Sequence, residues 1–299
     1  MKRDRLTLIA GFLPGLSLLI ILLCRRYLQS GQGLPQWATV LSIEWLWVMV
    51  EVAVFLLPLM ILAVFPGQKK DKNAASGFSK MPVRAIPMML TLAVAMALAN
   101  LLLGDLIAGL TGQTYADVHV FSALLAEYPS VWAVLFAVVV IPTVGGQLLF
   151  GDSLLRVYAP CGGIPALCVC ALMYSLLTGT PETLPGTFIS MLTFLYVSQA
   201  FNSVWAGLFS HGAYSVIHLL LLYVAGAYSG QELWSVVTLV MLFLMGLFLY
   251  LTMHSMEQLI EKGALCRLEH MRKDPVINNI IFSPGLWMTV FLFVFNWVA

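Results

Sequence analysis

Glu44 and Glu51, and His211 and His218, are ionisable residues set inside apolar runs, each pair seven residues apart. That spacing brings both members of a pair to one face of a helix, about 10 Å apart along its axis. Two imidazoles on one face, with the Ser215 hydroxyl four residues after His211, have the chemistry to ligate a metal or pass protons. The same groups also serve as hydrogen-bonded structural residues in a helix bundle. Glu44 neighbours Trp45 and Trp47, an aromatic belt from which a carboxylate reaches water. Glu51 lies near the middle of its run and has no such exit. It needs a proton, a partner or a wet cavity, which makes it a candidate polar-site residue together with His211 and His218. Asn100, Gln147, Gln199 and Asn296 are neutral polar residues of the kind that hydrogen-bond one helix to another.

The elements that must position these groups are membrane-spanning helices. Hydrophobic residues make up 61% of the 299 and charged residues 10%, against the roughly 25% charge of a soluble domain. Runs of about 20 apolar residues are long enough to cross a hydrocarbon core as helices. There are about nine: Leu6–Cys24, Thr39–Phe65, Val83–Leu103, Val131–Gln147, Ile164–Leu177, Thr187–Ala200, Val204–Val224, Leu233–Met253 and Ile280–Val298. The expected fold is all-α, a polytopic transmembrane helix bundle with a cytoplasmic N-terminus. With that orientation thirteen of the fifteen Lys and Arg residues fall inside, and only Arg25 and Arg26 outside. Arg25–Arg26 also occupies the place of a signal-peptide cleavage site, so the first run reads as a retained span. The net charge of +1 marks no nucleic-acid surface. The five cysteines have no ligand spacing, and neither a disulfide framework nor a zinc cluster is expected.

The chain reads as a single membrane domain over 1–299. Gly67 to Lys80 is a flexible cytoplasmic linker rich in Lys, Ser, Ala and Gly. Glu257 to Asn279 is a second inner segment with the mixture expected of a surface amphipathic helix. Asp105 to Ser130, with Asp117, His119 and Glu127, is the longest outer loop.

Three phrases between Pro142 and Ser215 remain: PTVGGQLLFGD, YSLLTG and SVWAGLFSHGAYS. Together they resemble the CPBP family, the CAAX-protease and bacteriocin-processing (Abi) intramembrane proteases. That family carries Glu-Glu-x-x-x-Arg in its first motif, Phe-x-x-x-His in its second, and His-x-x-x-Asn or His-x-x-x-Asp in its last. Here Pro142 and Leu148–Phe150 match the first phrase, Tyr174 and its followers the second, and Ser203–His211 the third. The intervals also fit, 27 residues from Gly151 to Thr178 and 33 from there to His211. The likeness covers 131–224, a CPBP-like core with degenerate motifs.

In this register Gly146 and Gln147 stand where the family has Glu-Glu. Gly151 stands for the arginine, Thr178 for the second-motif histidine and Ser215 for the final Asn or Asp, so only His211 is kept. The resemblance implies a glutamate acting as general base and histidines holding a metal or an oxyanion. Gln147 orients water but accepts no proton at neutral pH. No Glu lies between Glu127 and Glu182, and no His between His119 and His211, so sliding the alignment does not restore the motifs. The reading is a non-catalytic pseudoprotease, with no confident catalytic residue, no metal and no cofactor. It is a multi-pass bacterial plasma-membrane protein that contacts lipid and binds or scaffolds a membrane-protein or peptide partner, with no nucleic acid. Two alternatives stand beside it: a peptidase with a relocated site using Glu51 with His211 and His218, and a transporter or channel component. The orientation has a direct check. A reporter active only inside the cell is expected to work when inserted within 67–80 and to fail when fused after Ala299.

Overall fold

The computed structural model describes residues 2–29, 43–64, 80–81, 83–111, 131–158, 163–178, 180–228, 233–262 and 284–298. Among these there is no strand, and each of the nine apolar runs is a helix. They are α1 (Lys2–Gln29), α2 (Ile43–Val64), α3 (Ile86–Thr111), α4 (Val131–Tyr158), α5 (Gly163–Thr178), α6 (Leu184–Ala200), α7 (Val204–Tyr228), α8 (Trp234–Glu261) and α9 (Pro284–Val298). Five of them, α2, α3, α4, α7 and α8, are long and apolar enough to cross a membrane. By that length and composition the chain is an integral membrane protein. The linker Gly67–Lys80, except Lys80, lies outside the described residues, as does the segment from residue 112 to 130. The segment from Glu257 begins as the last turn of α8, and 263–279 also falls beyond the described residues.

Several helices outrun their apolar stretches, α3, α4 and α8 by two turns or more. α3 continues past Leu103 to Thr111, where the Thr111 hydroxyl donates to the carbonyls of Ile107 and Ala108. α4 continues past Gln147 to Tyr158, so Asp152 and Arg156 are helical and not in a loop. α4 is irregular: Phe136–Val140 and Gln147–Leu154 are π-helical, on either side of a short α segment, Ile141–Gly146, holding Pro142. Proline has no N–H, and π turns are a common way for a helix to absorb an interruption, often near functional sites. The Asp152–Arg156 ion pair lets the helix run on, because opposite charges four residues apart offset each other on one face.

The helices form two compact units. The first is drawn from 1–75, 132–178 and 268–299, the second from 76–131 and 179–267. In the first, α1 packs on α9 and α2, and α2 packs on α4. The α1–α9 contact is glycine on backbone. A Cβ at Gly285 would collide with the main chain of Gly11 and Phe12, and one at Gly15 with Met288 and Thr289. Small residues let helices in an apolar medium gain packing contact that lipid cannot supply. Gly145 of α4 has the same role, receiving the ring of Phe55 from α2.

One hydrogen bond in this unit has a cause legible in the chain. Pro58 lies inside α2 and cannot donate to the carbonyl four residues earlier, that of Val54. The hydroxyl of Ser17, fully buried on α1, donates to Val54 O at 2.7 Å. The proline creates an orphan carbonyl and the neighbouring helix satisfies it.

In the second unit α3 is the hub, touching α6, α7 and α8. Its buried face is Met88, Met89, Leu92, Ala93, Met96 and Ala97, meeting Phe194 and Val197 of α6 and Tyr214 of α7 in one cluster. The Thr252 hydroxyl of α8 donates to Thr91 Oγ1 on α3 at 3.0 Å. α6 and α7 are joined by a three-residue turn, Phe201–Ser203. Asn202 there takes a left-handed φ of 48°, and its N–H reaches the Gln199 carbonyl at 3.0 Å. Asparagine tolerates this conformation better than most non-glycine residues.

The Ser17–Val54 bond generates a rescue experiment. Ser17→Ala is expected to lower stability by about 1–3 kcal/mol, the cost of an unmet buried carbonyl. Pro58→Ala restores a helical N–H to Val54, so the double variant should lose markedly less than Ser17→Ala alone. Unfolding of purified protein in mixed micelles measures both.

Candidate functional site

The polar residues singled out by type and spacing divide between the two units. Glu51, Gly146, Gln147, Gly151 and Thr178 belong to the first, and His211, Ser215 and His218 to the second.

On α7 of the second unit, His211, Tyr214 and His218 fall at helical positions i, i+3 and i+7 and share a face. The His211 ring is 3% exposed and lies nearly parallel to Phe194 of α6, with centroids 5.2 Å apart and planes 16° apart. Phe194 also meets Tyr214 at 5.1 Å, and Tyr214 stacks on His218 at 5.4 Å and 8°. The result is a continuous ladder of four rings running His211, Phe194, Tyr214, His218. Such contacts add roughly 0.5–1.5 kcal/mol per pair beyond the burial of the rings. The ladder is tied to α3 where Asn100 Nδ2 donates to the Tyr214 hydroxyl. The Asn100 side chain fits because the facing residue of α6 is Gly186, where a Cβ would overlap Asn100 Oδ1.

Ser215 is half-buried, and its hydroxyl donates to the His211 carbonyl one turn back, at 3.0 Å. The hydroxyl four residues after His211 is therefore engaged with the helix main chain. His218 is half-buried, with its Nδ1 buried and without a hydrogen-bond partner.

In the first unit Glu51 is half-buried on α2, one turn before Phe55, the residue seated on Gly145 of α4. Gly146 and Gly151 are buried in α4, and Gln147 is fully buried where the second π segment begins. Thr178 is the last residue of α5. Among the described residues no three His, Cys, Asp or Glu side chains come together in a group able to hold a metal ion.

Two charged features escaped the sequence reading. One is the Asp152–Arg156 pair on α4, with Arg156 Nε donating to Asp152 Oδ1 at 2.9 Å and Nη2 donating to the same oxygen. Its signal was an acidic residue four before a basic one. It was lost because the apolar run stops at Gln147 and Arg156 then counts as a loop residue. The other is Glu182, in the turn before α6. It is 5% exposed, and its Oε2 has no hydrogen-bond partner. Nothing in its neighbours Pro181 and Thr183 marks it as buried.

Comparison of the chain with protein-family models, with curated proteins and with solved structures finds no match to any of them.

The ring ladder yields a stability prediction. Tyr214→Phe keeps the stack and removes the hydroxyl that Asn100 meets, so a loss of about 1–2 kcal/mol is expected. Gly186→Leu forces α6 away from α3 and should cost more than Tyr214→Phe. Reversible unfolding in detergent of graded denaturing strength ranks the two.

Proposed function

We propose that this chain is a nine-span membrane protein with its N-terminus inside, a catalytically emptied relative of the CPBP intramembrane proteases. In this reading it holds a membrane-protein or peptide partner and does not cleave one. The observation that carries the proposal is the setting of His211, the one motif side chain retained. It is packed flat on Phe194 within a ring ladder that the Asn100–Tyr214 hydrogen bond fastens to α3. An imidazole held this way stiffens a bundle. The positions expected to furnish a base and further ligands hold Gly146, Gln147 and Thr178, and no described cluster of acidic, histidine and cysteine side chains replaces them.

The ion pair on α4 refines the likeness. A register five residues further along sets Gly151 and Asp152 against the family's Glu-Glu and Arg156 against its arginine. The motif's second carboxylate and its arginine are then both represented at the family's spacing. One of the two carboxylates is still a glycine, and the resemblance implies a glutamate as general base. Removing such a base typically forfeits a factor of about 10² to 10⁴. That register gives up the Pro142 and Leu148–Phe150 matches and the 27-residue interval to Thr178, and it still leaves the motif short of one carboxylate.

Protein reconstituted in lipid vesicles with a panel of quenched fluorescent peptides tests this reading. The wild type, Glu51→Gln, Asp152→Asn and His211→Ala are expected to show the same background cleavage, and equally low metal content by elemental analysis. Turnover by the wild type that any of these variants abolishes would overturn the proposal. So would a stoichiometric metal lost in His211→Ala.

A further inference from the structure

Two buried acceptor oxygens in the second unit have no donor: Oδ1 of Asn100 and Oε2 of Glu182. The residues are 3% and 5% exposed. An acceptor withdrawn from water and left unmet is costly, and a carboxylate without countercharge more so.

Asn100 lies on the seam where α6 meets α3, and Glu182 in the turn that leads into α6. The Asn100 amide oxygen rests against Gly186. Helical hydrogen bonding extends back from α6 through the preceding turn, with Leu184 N–H to the Thr180 carbonyl at 2.7 Å and Thr187 N–H to that of Thr183 at 2.8 Å. Glu182 and Gly186 are therefore one turn, about 5.4 Å, apart on the same face. The Thr180 and Thr183 hydroxyls bond each other and each other's N–H groups, leaving Glu182 as the polar side chain of this turn without a partner.

Among the described residues of the unit no basic side chain pairs with Glu182. Lys80 and Arg84 precede α3, and Lys262 follows α8. Arg84 lies 16 residues before Asn100, about 24 Å along a helix. The nearest charge in sequence on α3 is another carboxylate, Asp105, half-buried five residues beyond Asn100. Among the described residues this end of the seam carries acceptor oxygens and carboxyl groups, and the basic residues Lys80 and Arg84 precede the other end of α3.

We propose that the α3–α6 seam binds a small monovalent cation. Glu182 supplies the countercharge, and Asn100 Oδ1 a neutral oxygen reached directly or through the ion's hydration shell. One carboxylate and one amide suit an alkali-metal ion. A calcium site takes six to eight oxygens, usually with several carboxylates. The Asn100–Tyr214 bond orients the amide with its oxygen toward the seam. The reverse orientation would aim Nδ2 there and repel a cation, so binding also reports which orientation holds.

The full chain in lipid nanodiscs provides the test, with the unfolding temperature recorded at constant ionic strength while N-methylglucamine is replaced by Na⁺ or K⁺. The expected result is a saturable rise of several degrees with at least one alkali ion, absent in Glu182→Gln. Tyr214→Phe should start from a lower temperature and retain a rise. Identical curves in Na⁺, K⁺ and N-methylglucamine would overturn the proposal and leave the seam to water. A full rise in Glu182→Gln would overturn it equally. If Glu182→Gln does not fold, retention of radioactive sodium or rubidium by the wild type decides: saturable retention of either supports the site, and retention of neither removes it.

Discussion

An apolar helix bundle offers no water to a polar group that loses its partner, and this constraint organises the residues that matter in both units. Pro58 deprives the Val54 carbonyl of its helical donor, and the answer comes from Ser17 on another helix. Asn100 projects from the middle of α3, and the answer comes from Tyr214 on α7. In each case a local irregularity becomes a tie between helices. The polar bonds are few and individually modest, near 0.6 kcal/mol on average for such ties in membranes. Their value lies in direction: of the rotations and slides that apolar packing permits, they select one.

Glycine provides the room in which this happens. Gly186 admits the Asn100 amide, Gly145 admits the Phe55 ring, and Gly285 brings α9 onto the backbone of α1. Gly246, on the sparsely packed α8, has nothing near it and could carry a Cβ freely. The same residue type is indispensable in one helix and incidental in another, and only the neighbour decides which. Gly146 and Gly151 belong to this question as well. Their burial in α4, beside π-helical turns, is consistent with a helix shaped by packing.

The functional reading depends on a similar contrast between type and setting. A histidine following an SVWAGLFS phrase suggests catalysis. The same histidine lying flat on Phe194, in a ladder continued by Tyr214 and His218, is a packing element. Conversely Glu182 has no feature in its sequence neighbourhood to distinguish it, yet it is buried with a carboxyl oxygen that has no partner. Asp152 and Arg156 sit between these extremes. Their spacing was visible, but it acquires meaning only once α4 is known to continue beneath them.

The nine described apolar helices could be read from the chain, because the length of an apolar run is a one-dimensional property and an apolar run of that length has little choice but to become a helix. The ends were less legible. α3 and α4 run beyond their apolar stretches, since hydropathy falls at the first charge whereas helical hydrogen bonding does not. The partners were not legible at all. Ser17 meets a carbonyl 37 residues away and Asn100 a hydroxyl 114 residues away. Sequence by itself determined an all-helical membrane protein and its inventory of polar side chains. Tertiary structure decided which of those side chains are paired, stacked or left unmet, because each pairing needs two distant helices to approach at a chosen level and face. That approach is set by packing around glycine and alanine and not by any local pattern.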